Sequence, residues 1–204
     1  MNKDFLGEVL VQKGFDYQEL LNSIRRKVEE TDSSKLDERS KKRFQIIRLN
    51  YHRYLRIQKI LKVSEPLKKV VTAIQKPQLW LIITEESCGD SAQTIPCIYN
   101  ISKLNPQITL KFLYRDENPD IMDQFLTQGK RRIPKLIAFD EEGNELFRWG
   151  PRPYEADEIF YHVRDDEGLG KDAALEKVHL WFGKDRCKAF NQEFLDLLTQ
   201  IKNS

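Results

Sequence analysis

The chain has 204 residues, enough for one domain with a real core or for a domain carrying an extension. Its 34 basic and 32 acidic residues leave a net charge of +2, so nothing global draws it to nucleic acid or to a membrane surface, and any charge argument has to be local. No run approaches the ~18 apolar residues of a spanning helix, the opening Met1-Asn2-Lys3-Asp4-Phe5 is too polar for a signal peptide, and three cysteines with three scattered histidines (His52, His162, His179) make neither a disulfide framework nor a zinc pattern.

Residues 1–63 read as helical. Asp16 and Glu19 have the spacing of a capping box ahead of Leu20, Leu21, Ile24 and Val28. A longer helix follows, with Phe44, Ile47, Tyr51, Tyr54, Leu55 and Leu61 on one face. Basic residues from Arg39 to Lys62 cover the rest, and no acid stands between Ser40 and Ser64. The plain reading is a solvated helix face. The sharper ones are a docking surface for an acidic partner or nucleic acid, and packing against acidic stretches of the same chain.

Ser64-Glu65-Pro66 opens a short helix, Pro66 suiting its first turn. Leu79-Trp80-Leu81-Ile82-Ile83 is too short for a helix and too apolar for a surface strand, which predicts a buried central strand. A helix over Ala92–Leu104, a strand over Ile108–Tyr114, a helix begun by Asn118-Pro119 and stopped at Gly129, and a strand over Leu136–Phe139 come next. A turn at Asp140–Asn144 leads into Leu146-Phe147-Arg148-Trp149. Gly150-Pro151-Arg152-Pro153 precedes a helix with Ile159, Phe160 and Val163, Gly168-Leu169-Gly170 breaks the chain, and two final helices are expected, the first ended by Gly183. The order β-α-β-α-β-β-α predicts an α/β fold in which helical crossovers join parallel strands ahead of an antiparallel hairpin.

The chemistry centres on Ser87-Cys88-Gly89-Asp90-Ser91. Cys88 falls where the central strand turns into a helix, and free N–H groups with the helix dipole favour a thiolate there, lowering the pKa by up to ~1 unit. The neighbouring polar residues Glu85, Glu86 and Asp90 argue that the thiol is exposed. Cys97 lies nine helical residues on, about 13 Å away, beyond disulfide reach of Cys88, and reads as a core residue. Cys187 has no readable position relative to the site.

Cys88, Pro96 eight residues later, and Ile133-Pro134 at the head of the run Leu136-Ile137-Ala138-Phe139 together resemble the thioredoxin family, over roughly residues 65–163. The match is narrower to a bacterial thioredoxin-like group with a Cys-Gly-Asp motif. The resemblance implies a thioredoxin-like fold, a four-stranded mixed sheet flanked by helices. It divides the chain into an N-terminal helical extension (1–63), a thioredoxin-like domain (64–164) and a C-terminal helical extension packing on the core (165–204). It implies Cys88 as nucleophile, Gly89 and Asp90 as the rest of the motif, and Arg132, Ile133 and Pro134 as a substrate-binding loop with a cis proline whose backbone pairs with an extended peptide.

The departures matter as much. Ser91 stands where a resolving cysteine belongs; its hydroxyl can hydrogen-bond a thiolate but cannot attack a mixed disulfide. Ile82 replaces the buried acid many thioredoxins use to shuttle protons, and Asp90 sets a carboxylate beside the sulfur that opposes thiolate formation. Lys130, Arg131 or Arg132 facing Cys88 would favour it.

Two functions are therefore expected to compete. One is a monothiol oxidoreductase with catalytic Cys88 and Ser91, acting on a protein or small-molecule disulfide, glutathione among them, with an external thiol as resolver. The other is a non-catalytic binding or adaptor module using the proline loop. Iron–sulfur binding ranks below both: Cys88-Gly89-Asp90-Ser91 resembles the Cys-Gly-Phe-Ser motif of monothiol glutaredoxins, yet that family's Gly-Gly turn is missing after Pro134. No metal, cofactor, membrane or nucleic acid is expected, and the expected compartment is the reducing cytoplasm.

Overall fold

The computed structural model describes Gly7 and residues 13–202, so most of the first twelve residues of the expected helical stretch, including Met1 to Phe5, lie outside the described residues. The chain folds as helices α1 (Tyr17–Glu30), α2 (Glu38–Ile60) and α3 (Glu65–Thr72), strand β1 (Gln78–Thr84), helix α4 (Gly89–Ser102) and strand β2 (Ile108–Tyr114). A four-residue helix α5 (Pro119–Met122), strands β3 (Lys135–Phe139) and β4 (Glu145–Trp149), and helices α6 (Tyr154–Tyr161), α7 (Gly170–Asp185) and α8 (Lys188–Lys202) complete it. The strands make one mixed sheet of order β2-β1-β3-β4, flanked by helices in a thioredoxin-like α/β arrangement.

β1 is central, parallel to β2 and antiparallel to β3, with Ile82 opposite both Phe112 and Leu136. Alternate residues serve opposite faces. Trp80 and Ile82 join the larger core with α1, α2, α3, α4 and α8, while Leu81 and Ile83 join a smaller one with Ile121, Met122, Phe125 and Ile133. The segment before α1 seals the β2 edge: Phe15 and Phe112 exchange backbone hydrogen bonds at 3.1 and 2.9 Å.

Two expectations need correcting. Only β1-α4-β2 is a parallel crossover, because β3 runs against β1. β2 ends at the same end of the sheet where β3 begins, so the connection need not travel its length, and a four-residue helix with one 3₁₀ turn (Asp123–Phe125) suffices. Gly183 does not end its helix; α7 runs on to Asp185 and stops at Arg186, which adopts the left-handed conformation at φ 53°.

The topology gathers one end of the sheet. β1 and β2 finish there, β3 starts there, and β4 finishes there, so the Cys88 turn, the 115–134 connection and the 150–153 loop meet. Ile133-Pro134 and Gly150-Pro151 are both cis. Gly150, at φ +108°, lies so close to the Pro134 carbonyl that any side chain would collide with it.

Candidate functional site

Cys88 is the N-cap of α4, in extended conformation at φ −80° and ψ 116°. Its Sγ accepts from the Ser91 backbone N–H at 3.5 Å and donates to the Ile133 carbonyl at 3.3 Å, so the motif cysteine touches the cis-proline loop directly. Ser91 is fully buried, and its Oγ accepts from the Thr84 hydroxyl at 2.8 Å.

The turn is pinned from below by its own acids. Glu85 and Glu86 are buried rather than exposed. Glu86 accepts from Ser23 (2.7 Å), Tyr114 (2.9 Å) and Lys27, and its carbonyl accepts from Asn50 Nδ2 at 3.0 Å. Glu85 accepts from the Asp116 N–H at 2.9 Å, with Arg43 at 4.0 Å. Residues of α1 and α2 thus hold the loop that carries the cysteine. Part of the basic face of α2 is spent on this: Arg53 bonds Asn50 at 3.0 Å and Arg56 reaches Gln93 at 3.4 Å.

Asp90 turns away from solvent and pairs with Arg152, Oδ2 to Nη2 at 2.7 Å, both side chains under 10% exposed. Arg152 lies over the Phe160 ring at 4.3 Å and approaches Asp157 at 3.5 Å. The motif acid is therefore a clasp for the second proline loop. Desolvation raises the Asp90 carboxyl, with Arg152 opposing.

Two of the three loop cations, Arg131 and Arg132, have acidic partners of their own. Arg131 is taken by Asp123 through two contacts at 2.6 Å, and Arg132 sits 3.8 Å from Asp157 and 5.0 Å over the Tyr161 ring. Cys88 keeps some surface open to the cavity, yet it is packed tightly enough that burial, followed by the Asp90 charge, pushes its thiol up to about 11. The Ser91 hydrogen bond pulls the other way and loses. Helix-terminus stabilisation is real here but smaller than the desolvation of a charged sulfur, which corrects the expectation of an activated thiol.

Above Cys88 opens a cavity of about 890 Å³ whose walls include Arg53, Arg132, Pro151, Arg152 and His179. The Trp149 indole N–H donates to Glu193 of α8 at 2.9 Å. Two contributors were not singled out from the sequence. Arg152, between two prolines, is one. His179 is the other, an isolated histidine in α7 with no motif to mark it. Its ring lies over Gly89, where an added Cβ would meet it at 2.7 Å and Arg53 at 3.2 Å, so glycine is what lets α7 and α2 close over the motif. Burial, then Arg53 and Arg152, pull His179 down to about 4, leaving it neutral. Among the described residues no cluster of histidine, cysteine or acidic side chains could hold a metal ion, and no helix is long and apolar enough to cross a membrane.

The fold and the cysteine at the strand-to-helix turn, facing a cis-proline loop, define a thioredoxin-fold protein. A thioredoxin family model matches residues 37–167, and the chain belongs to that family. No curated protein matches it. It resembles the crystal structure of a protein of unknown function from Pseudomonas aeruginosa, at 19% identity and a TM-score of 0.56 over 74% of this chain and 85% of that one. It also resembles an HIV epitope-scaffold, at 19% identity and a TM-score of 0.57 over 93% of this chain and 99% of that one. At this identity both show the fold alone.

Proposed function

We propose that the protein exchanges thiols and disulfides through one cysteine, Cys88, with an external thiol completing the cycle. The observation that carries this reading is the position of Cys88 Sγ on the cavity floor, 3.3 Å from the Ile133 carbonyl at the cis proline and 3.5 Å from the Ser91 N–H. An incoming disulfide is attacked by the Cys88 thiolate, one substrate sulfur leaves as a thiol, and a Cys88 mixed disulfide remains. Ser91 cannot resolve it, because it offers an alcohol and its oxygen is held by Thr84. Arg132, Ile133 and Pro134 form the substrate wall, Gly89 lets His179 close the site, and Asp90 fixes the opposite loop. Helices over 1–63 and 165–204 act in this reading as extensions that enclose the site on a 64–164 thioredoxin-like unit. The substrate is a protein or small thiol or disulfide, such as glutathione, in a reducing cytoplasm.

A second reading rests on the hydrogen bond from the Cys88 thiol to the Ile133 carbonyl at 3.3 Å. Cys88 then serves as a hydrogen-bond donor to Ile133 in a non-catalytic binding module that presents the proline loop to a partner peptide. The pH dependence of Cys88 alkylation, followed by mass spectrometry, separates the two when combined with glutathione challenge. A Cys88–glutathione adduct that forms and is released by added thiol supports exchange; a Cys88 that stays free under oxidising glutathione overturns it in favour of the module.

A further inference from the structure

Cys97 and Cys187 are 90 positions apart in sequence, yet their sulfurs lie 2.9 Å from each other. Cys97 comes from the middle of α4, and Cys187 from the two-residue turn between α7 and α8. Both are buried in the main core, at 1% and 5% exposure. Two buried apolar-like residues would be served by any small hydrophobic pair; what distinguishes this pair is how Cys187 is held. Arg186 and Cys187 are consecutive non-glycine residues in the left-handed region, at φ 53° and 65°, a conformation L-residues keep only where the surroundings impose it. Asn191 braces the far side of this turn. Its backbone N–H and its Nδ2 both donate to the Cys187 carbonyl, at 3.0 and 2.7 Å, while its Oδ1 accepts from the Ser64 N–H at 2.9 Å.

We propose that Cys97 and Cys187 are a redox-active dithiol that closes to an intramolecular disulfide, a second sulfur centre separate from Cys88. Bonded sulfurs stand ~2.05 Å apart, so the pair has about 0.9 Å to close from 2.9 Å. The oxidant is a low-molecular-weight disulfide. One cysteine attacks its sulfur–sulfur bond and releases one small thiol; the second cysteine then displaces the other. Two electrons pass from the cysteine pair to the small disulfide, and the two cysteine protons end on two small thiols. Burial raises the Cys97 thiol well above its ordinary value, and with both sulfurs covered the exchange waits on local opening of the α7–α8 turn.

The bond would join the helix that carries Cys88 at its N-cap to the turn just beyond the helix that carries His179. Oxidation therefore fixes one wall of the Cys88 cavity, and reduction frees it.

The test uses the whole protein equilibrated in glutathione buffers of rising oxidised fraction, then acid-quenched, denatured, alkylated with iodoacetamide and mapped by mass spectrometry. The reduced chain is also refolded in the same buffers, so that slow access to a buried pair cannot hide the bond. Cys97 and Cys187 are expected to lose alkylation together and to yield one cross-linked peptide two hydrogens lighter, in wild type and in Cys88→Ser alike. The cross-linked form should melt at a higher temperature than the reduced form. The proposal fails if both cysteines stay alkylatable in every buffer by either route, if the cross-link joins Cys88 instead, or if each takes glutathione separately. A cross-link without a change in melting temperature refutes the coupling of the two helices.

Discussion

Asp90→Asn is the most direct probe of what sets the reactivity of Cys88. In the folded chain burial and then the Asp90 charge push this thiol from 9.0 up to about 11. Alkylation by a neutral reagent follows the thiolate, so at pH 7 about one Cys88 in 10⁴ is reactive, against about one in 10² for a thiol at its ordinary value. Cys88 should therefore react roughly a hundredfold more slowly than a free cysteine, and its rate should climb about tenfold per pH unit until close to pH 11. Removing the Asp90 charge takes away the second cause and leaves the first, so the variant should react faster than wild type, on the order of 3- to 10-fold at pH 7, while its pKa stays above 9.0.

The same change loosens the clasp. The asparagine side chain keeps an acceptor for Arg152, which stands 2.7 Å from the native carboxylate, but leaves that guanidinium with Asp157 as its nearest acid at 3.5 Å. The expected cost is about 1.5–3 kcal/mol, the range for a hydrogen bond to a charged group. The assay is a pH series of iodoacetamide labelling with peptide-level quantitation, beside thermal melts. A wild-type rate that levels off near pH 7–8 would mean the thiolate is already formed, and the burial argument would be wrong. A slower Asp90→Asn would refute the role of its charge.

Further outcomes follow from the same geometry. Ser91→Cys puts a second sulfur one helical turn from Cys88 and, in an insulin assay driven by dithiothreitol, should speed protein-disulfide reduction well above a wild type that adds little to the reductant alone; a wild type as fast as the variant would sink the monothiol reading. His179 has its folded pKa depressed from 6.5 to about 4, so the stability it contributes is present above pH 6.5 and lost as pH falls toward 4, an effect of ~3 kcal/mol. His179→Gln should flatten that part of the difference curve in denaturant melts, and a curve superposing on wild type would count against it. Gly89→Ala forces its methyl against His179 and Arg53 and should cost ~1–3 kcal/mol; an unchanged melting temperature would show that α7 yields freely.

What the sequence revealed and what it hid divide along physical lines. The central strands were legible because Trp80–Ile83 and Leu136–Phe139 are buried on both faces and read as continuous apolar runs. The position of Cys88 was legible because a strand-to-helix turn leaves local signals. The state of its thiol was not, since desolvation is set by α2, α7 and the proline loops, which pack from far along the chain. Polarity misled at Glu85 and Glu86, whose charges looked like exposure and instead bond Ser23, Lys27, Tyr114 and Asp116. Buried acids with partners and exposed acids without them share one composition. The contact of Cys97 with Cys187 was invisible for a similar reason: no sequence spacing encodes the turn that Asn191 holds.

The motif turn is therefore less a free-standing active site than a junction where three outlying helices meet. α1 grips Glu86 through Ser23 and Lys27, α2 grips the same loop through Asn50, and α7 covers Gly89 with His179. Each contact adds order around Cys88, and each also removes water from it. Those two effects have opposite consequences for chemistry. Order favours a fixed attack geometry, whereas loss of water penalises the thiolate that attacks, and burial raises the Cys88 thiol in the closed chain. A thiol so poised also leaves slowly, because expulsion must regenerate the disfavoured thiolate. The arrangement thus suits holding an adduct better than turning one over. Any event that lifts α7 from Gly89 would rehydrate Cys88 and raise its reactivity without a change at the motif itself.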